Sequence, residues 1–192
     1  MEYHLQLPVG KKEIKKLRIG DILYLSGAVF TARDAAHKLL LQKEVKELPF
    51  IPAHMALYHC GPLMKRQGNT WVVISAGPTT SSRMEVFEDK VIEKFRVPII
   101  IGKGGMGKKT AEALQRYTAV YTVYPGGVGV LAAENVARVV DVYWLEELGM
   151  LEAVWVFQMK DFGPLVVAMD SYGGSLMEQK VKINQTDLIK TC

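Results

Sequence analysis

The sequence predicts an α/β fold built on a largely parallel sheet. Three observations predict it. From residue 70 onward, short apolar runs alternate with helical periodicity in strand, loop, helix order, and strands joined that way lie parallel. Glycine-rich turns follow those runs, at the strand ends that line ligand crevices in α/β sheets. The chain has 192 residues, 49% of them hydrophobic and 23% charged, which suffices for a real core without disulfides or a structural metal.

Taken in order, Tyr3, Leu5, Leu7 and Val9 alternate with polar neighbours, the pattern of a half-buried strand, and Gly10 turns the chain. After the basic run 11–18 and Gly20-Asp21, residues 22–30 are apolar and β-rich enough for one or two strands. Thr31 is expected to cap the next helix, its hydroxyl accepting from a free N–H of the first turn. That helix runs through Ala35, Ala36, Leu39, Leu40 and Val45. Residues 70–76 (TWVVISA) read as a buried strand, Gly77-Pro78 as a sharp turn, and Ser82 onward as an amphipathic helix with Met84, Phe87, Val91 and Phe95 on one face. Residues 97–101 form the next strand, 102–107 a glycine loop and 109–117 a helix. Strand 119–124, the turn Pro125-Gly126-Gly127 and helix 128–139 repeat the unit. Residues 139–144, 153–159 and 164–169 look like strands near the end of the sheet, and the tail 173–192 is polar without a clear period. No linker, repeat or low-complexity tract interrupts the chain, so residues 1–192 are expected to form one domain.

Charge and cysteine content narrow the function. Lys+Arg 24 against Asp+Glu 20 leaves a formal charge of +4, a mild excess that suits anionic ligands. The cations are scattered among acids with no aromatic-interleaved stripe, so nucleic acid is not an expected partner. Two cysteines, Cys60 and Cys192, form neither a disulfide framework nor a Cys-rich metal site. The start MEYHLQLPVGKKE has no basic-then-apolar leader, and no run reaches the ~18 apolar residues of a membrane helix, so a cytoplasmic location away from membranes is expected.

Four turns after strands hold the candidate chemistry: 31–37, 77–84, 102–107 and 124–129. Arg33 and Arg83 each stand at the start of a helix, where the helix dipole favours anions and a fixed cation gains nothing. A ligand carboxylate or phosphate there would account for both, since Arg offers a planar fork and the helix adds amide donors; pairing with Asp34, Glu85 or another surface acid is the plain alternative. The third loop follows the GxxxxGK spacing through Gly102, Gly107 and Lys108, but Lys109 stands where a phosphate-binding loop needs Ser or Thr for magnesium. Its glycines, Gly102 and Gly104 included, still let backbone approach a small anion, with Lys103 as a mobile charge. His37, four residues after Arg33, assists it or fills a polar helix face. His54, His59 and Cys60 match no metal spacing and read as packing or surface residues; Glu134 and Asn135 are further polar candidates.

The strings Arg33-Asp34-Ala35-Ala36-His37, Gly77-Pro78-Thr79-Thr80-Ser81-Ser82-Arg83-Met84, Ile101-Gly102-Lys103-Gly104 and Tyr124-Pro125-Gly126-Gly127 resemble the β component of iron–sulfur hydro-lyases, the class I fumarate hydratase and L(+)-tartrate dehydratase family. The similarity runs in order from about Leu5 to Tyr172. It implies a three-layer β/β/α swivelling-type domain that supplies half an active site, while an α subunit carries a [4Fe-4S] cluster on three cysteines, in an assembly of α2β2 type. Two cysteines cannot supply three ligands, so no metal is expected on this chain. The resemblance implies reversible hydration of fumarate to malate, with L(+)-tartrate dehydration as the alternative and a dicarboxylate as substrate in either case. Arg33, Arg83 and Lys103 would bind the substrate and Thr79 would be the catalytic base, with His37, Thr80, Gly102 and Gly104 in support. Ser81-Ser82 depart from the small Ala-Gly type pair often found between the threonines and the arginine. A nucleotide-binding module using the 102–109 loop is the competing reading outside this family.

Overall fold

The computed structural model describes residues 1–177; the remainder of the polar tail, with Cys192, lies outside the described residues. The strands are β1 (Glu2–Gln6), β2 (Ile22–Thr31), β3 (Ala56–Tyr58), β4 (Leu63–Gln67), β5 (Thr70–Ser75), β6 (Ile99–Gly102), β7 (Val120–Val123), β8 (Val136–Tyr143) and β9 (Val154–Met169). The helices are α1 (Lys11–Ile14), α2 (Asp34–Gln42), α3 (Glu85–Phe95), α4 (Lys108–Tyr117), α5 (Gly129–Glu134) and α6 (Leu145–Leu148).

Seven strands form one sheet in the order β1-β2-β3-β6-β7-β9-β8. Strands β1, β2, β3, β6 and β7 pair in parallel, as the strand–loop–helix order requires. Strand β9 runs antiparallel and pairs with both β7 and β2, so β2, β3, β6, β7 and β9 close into a ring. Side chains alternate across the ring wall. Leu23, Leu25, Tyr58, Ile99, Ile101, Val120, Phe162 and Leu165 face inward in one core, while Phe30, Leu57, Ile100, Tyr121 and Val156 face a second core shared with Leu40 of α2, Ile92 and Phe95 of α3 and Leu114 of α4. Strands β3 and β6 are buried on both faces, which is why their sequences are unbroken apolar runs.

The structure departs from the sequence reading at several places. Residues 22–30 form one strand, within the one or two expected, whereas 153–159 and 164–169 merge into a single strand, because β2 and β9 ladder against each other over most of their length. Thr31 is no helix cap: it ends β2, buried, where its hydroxyl accepts from Trp155 N–H and donates to the Ala153 carbonyl. The free Ala35 N–H of α2 goes to the Glu152 carboxylate instead, and Val45 lies in a separate 3-10 turn. Residues 70–76 do give a strand, but β5 pairs with β4 in a separate hairpin and has one exposed face. The segment 128–139 is helical only to Glu134, since Val136 onward pairs with β9, and β3 and β4 carried too little periodicity to be read at all.

Phe162 tests the inner core, where it lies fully buried with ring centroids 5.2 Å from Tyr58 and 4.9 Å from Tyr124. Phe162→Ala is expected to lower unfolding stability by about 3–5 kcal/mol, read from the midpoint of chemical denaturation.

Candidate functional site

The parallel strands all end at one rim of the ring, and backbone bonds gather their loops there. Thr79 N–H donates to the His59 carbonyl, His59 N–H to Ile101, Ser81 N–H to Lys103 and Ala76 N–H to Gly129. Isolated bridges add Cys60 to Pro78 and Thr80 to Lys103. Gly102 is required here: a β-carbon at that position would fall on the Ser81 hydroxyl. Gly61 is needed for a similar reason, because a β-carbon there would stand 2.7 Å from the Arg33 side chain, and Lys103 lies across Gly126.

The candidate residues meet on this rim. Thr79 is half-buried and its hydroxyl accepts a hydrogen bond of 2.8 Å from Arg83. Arg83, 46% exposed, also pairs with Asp34 at 3.3 Å, and Asp34 follows Arg33 directly at the start of α2. Arg33 Nε stands 3.3 Å from Glu152 but is not aligned as a hydrogen bond. Both arginines therefore have acid partners, the plain alternative read from the sequence, yet each pair engages a single guanidinium nitrogen and leaves further N–H donors for a ligand. Lys103 is half-buried and takes part in no ion pair among the described residues. Thr80 is exposed beside it, and Gly104, at φ 78, accepts from the Tyr121 hydroxyl.

Beneath the rim lies a polar cluster that the sequence reading missed. Glu88 of α3 is fully buried, and its Oε2 is 2.9 Å from His59 Nε2 and 3.3 Å from His37 Nε2. His37 Nδ1 donates to the Arg33 carbonyl at 2.7 Å. His59 Nδ1 is 2.9 Å from the Ser81 hydroxyl, which accepts from Lys103 N–H at 3.0 Å. Of the two readings of His37, a polar helix face is excluded by its burial, while its ring does contact Arg33, at the backbone carbonyl; His59 is not mere packing, and Ser81 faces inward while Ser82 is exposed. The signal for Glu88 was its spacing, four after Met84 and three before Val91, which puts a carboxylate inside the apolar stripe of α3. Burial works against its ionised form, but His59 and His37 outweigh that and pull it down to about 2. Burial lowers His59, against the pull of Glu88, and so favours its neutral ring.

Other candidates fall elsewhere. His54 and Glu134 are exposed, and Asn135 bonds to Lys160 and Asp161 of β9. The N-terminus of α4 already holds an anion: Glu85 accepts from Gly107 N–H at 2.7 Å, Thr110 N–H at 3.3 Å and the Thr110 hydroxyl at 2.6 Å. Glu85 thus takes two of the amides that a phosphate at this helix N-terminus would need, which counts against the nucleotide reading of the 102–109 loop. A cleft of about 480 Å³ between β5 and β8, lined by Trp71, Arg138 and Asp141 among others, contains none of the candidates. For metal, the one donor set among the described residues is His37, His59 and Glu88, whose donor atoms lie within 4.8 Å of one another. An iron–sulfur cluster does not fit this chain: Cys60 is buried, burial pushes its thiol up although Arg33 opposes this, and the sequence holds a single further cysteine. No helix among the described residues is long and apolar enough to cross a membrane.

Comparison with known proteins identifies the family. The chain is 46% identical over 181 residues to a Methanocaldococcus jannaschii protein provisionally named L(+)-tartrate dehydratase subunit beta, covering 93% of this chain and 92% of that one. It is 39% identical over 183 residues to the L(+)-tartrate dehydratase subunit beta of Escherichia coli, covering 95% and 90%. It is 40% identical over 175 residues to a Geobacillus stearothermophilus protein provisionally named fumarate hydratase class I, covering 91% of this chain and 33% of that longer one. The family described as Fumarase C-terminus matches residues 2–180, so a match spanning the ring, all four rim loops and the cations they carry makes the chain a member of that family.

Proposed function

We propose that the chain is the β subunit of a two-component hydro-lyase that adds water to, or removes it from, a four-carbon dicarboxylate. The observation that carries this reading is the rim constellation of Thr79, Arg83, Arg33 and Lys103 in a family member that matches separate β subunits over nearly their whole length. Fumarate hydration to malate is the first reading. L(+)-tartrate dehydration is the second, favoured by the names of those separate β subunits. The partner is an α subunit, in an α2β2 assembly in the cytoplasm. The three-layer β/β/α swivelling architecture belongs to the same reading, supported by α2, α3 and α4 on one side of the ring and the β4–β5 hairpin outside the main sheet.

The chemistry assigned to this chain's residues follows from their types and contacts. Arg33, Arg83 and Lys103 hold the two substrate carboxylates, the arginines through their planar forks and Lys103 as a point charge. Thr79 Oγ1 moves the proton at the carbon next to one carboxylate, giving it as the hydroxyl in hydration and taking it as the alkoxide in dehydration, with an Asp or His of the α subunit exchanging that proton onward. A threonine hydroxyl is a weak base, and the Arg83 guanidinium 2.8 Å away stabilises the alkoxide it must become. Negative charge then builds on the neighbouring carboxylate, where the same cations stabilise it more than in the ground state. Gly102, Gly104 and Thr80 keep the Lys103 loop against the threonine loop, and His37 supports Arg33 from below. A [4Fe-4S] cluster, which the residues of this chain do not fit, supplies Lewis-acid chemistry at the hydroxyl when bound on the partner.

Three outcomes test the reading. The chain purified alone is expected to be colourless and inactive, with turnover of fumarate, malate or tartrate appearing on reconstitution with an iron-loaded α subunit; activity from the chain alone refutes it. Arg83→Lys in the complex is expected to lose at least about tenfold in kcat/KM, about 1.4 kcal/mol, without unfolding. Thr79→Val, which keeps shape but removes the proton carrier, is expected to lower kcat by roughly 10² to 10⁴ with little change in substrate affinity. A folded Thr79→Val complex turning over at the parent rate removes Thr79 from the mechanism.

A further inference from the structure

The cluster below the rim contains more information than its distances, because its donors and acceptors can be assigned. A carbonyl only accepts, so His37 Nδ1, 2.7 Å from the Arg33 carbonyl, carries a hydrogen. His37 Nε2 then faces Glu88 Oε2 at 3.3 Å, off the line of a good hydrogen bond and with no other partner. A bare nitrogen would point its lone pair at a carboxylate; a protonated one is attracted to it. On the other side, the Glu88 carboxylate only accepts, so His59 Nε2 carries a hydrogen, and the burial that favours a neutral His59 ring leaves its Nδ1 to accept from Ser81 Oγ, which itself accepts from Lys103 N–H. His59 is left as the neutral Nε2–H form, donating to Glu88. The assignment places one positive charge, on His37, against one negative charge, on Glu88, with both side chains at 0% exposure.

We propose that Glu88 is a positioning residue for the active site, forming a buried ion pair with an imidazolium at His37 and setting, through His37 and His59, where Arg33 and Lys103 stand on the rim. One arm runs from Glu88 through His37 to the Arg33 carbonyl. The other runs through His59 and Ser81 to the backbone of Lys103. Each arm ends on a residue assigned to carboxylate binding, and neither reaches the Thr79 hydroxyl. The network therefore acts on substrate binding more than on proton transfer. A buried ion pair is costly to desolvate and contributes little net stability, which fits a role in fixing geometry. The other ionisable groups facing the cluster are Asp34 at the start of α2 and Tyr121 from β7. The inference rests on the hydro-lyase reading for its kinetic part only.

The ion pair is tested in the full chain with ¹⁵N-labelled histidine rings, the four histidines being assigned by substitution of each. At pH 7, His37 is expected to show two protonated ring nitrogens and His59 one, and Glu88→Gln to return His37 to a neutral ring. The positioning role is tested in the reconstituted complex. Glu88→Gln is expected to raise KM for the diacid about tenfold or more, with kcat within about threefold and an unchanged melting temperature. Should Glu88→Gln fail to fold, Ser81→Ala cuts the second arm alone and is expected to raise KM while leaving the His37 imidazolium in place. A neutral His37 in the parent chain overturns the ion pair, as does a stoichiometric divalent metal that Glu88→Gln abolishes. An unchanged KM in both variants overturns the positioning role. A parent complex without turnover counts against the hydro-lyase reading, whereas the ring-nitrogen spectrum judges the ion pair independently.

Discussion

Closure of the ring by β9 is the constraint from which the rest of the molecule follows. An open parallel sheet needs cover on both faces and leaves two edges. Here β9 supplies its backbone to β2 along one side and to β7 along the other, so the inward face becomes a core of its own and the helices need cover only the outside. The same closure decides where the loops go. Parallel strands point their ends the same way, and bending them into a ring brings those ends toward one another. Loops far apart in sequence, around residues 33, 60, 79 and 103, come into backbone contact on one rim, which no single helix or hairpin could arrange.

On that rim, charge is balanced at two depths. At the surface, Asp34 and Glu152 offset Arg83 and Arg33, so the cations do not repel one another when no substrate is present. A substrate carboxylate then adds to existing pairs through the unused N–H groups. Below, where water is excluded, Glu88 meets two histidine rings whose remaining nitrogens are tied to the chain on either side. The shallow pairs are screened and adjustable, and the deep set is neither. This division suits a site whose cations must meet a ligand while the backbone under them stays fixed.

What could be read in the sequence, and what could not, divides along physical lines. The parallel order was legible because 97–101 is apolar throughout and 119–124 is apolar but for Thr122, and the rim loops were legible because glycine and proline punctuate them. Thr79, Arg33, Arg83 and Lys103 were reachable through local strings that keep their order. Glu88 was not named because a glutamate on a helix is ordinarily solvated, and its burial depends on His59, twenty-nine residues away. Glu152 escaped and Thr31 was given the wrong role for the same reason: one caps a helix and the other bonds a strand more than a hundred residues distant. Hairpin β4–β5 and the end of α5 were misjudged because pairing partners, not propensity, decide where such short elements stop. Closure itself leaves no trace in a periodicity, since a strand reads the same whether its sheet is open or ringed.

The late position of β9 has a consequence for how the chain is made. Strands β2 and β7 both depend on a segment near residue 165, so during synthesis they leave the ribosome with a bare edge each and no partner for it. The half of the core built around Phe157, Phe162 and Leu165 is missing for the same interval. The nascent chain therefore cannot reach its native topology by growing outward from its first strands. It must hold a horseshoe of open, apolar-faced sheet until β9 arrives to latch it, a period in which a chaperone or a neighbouring nascent chain competes for the same edges.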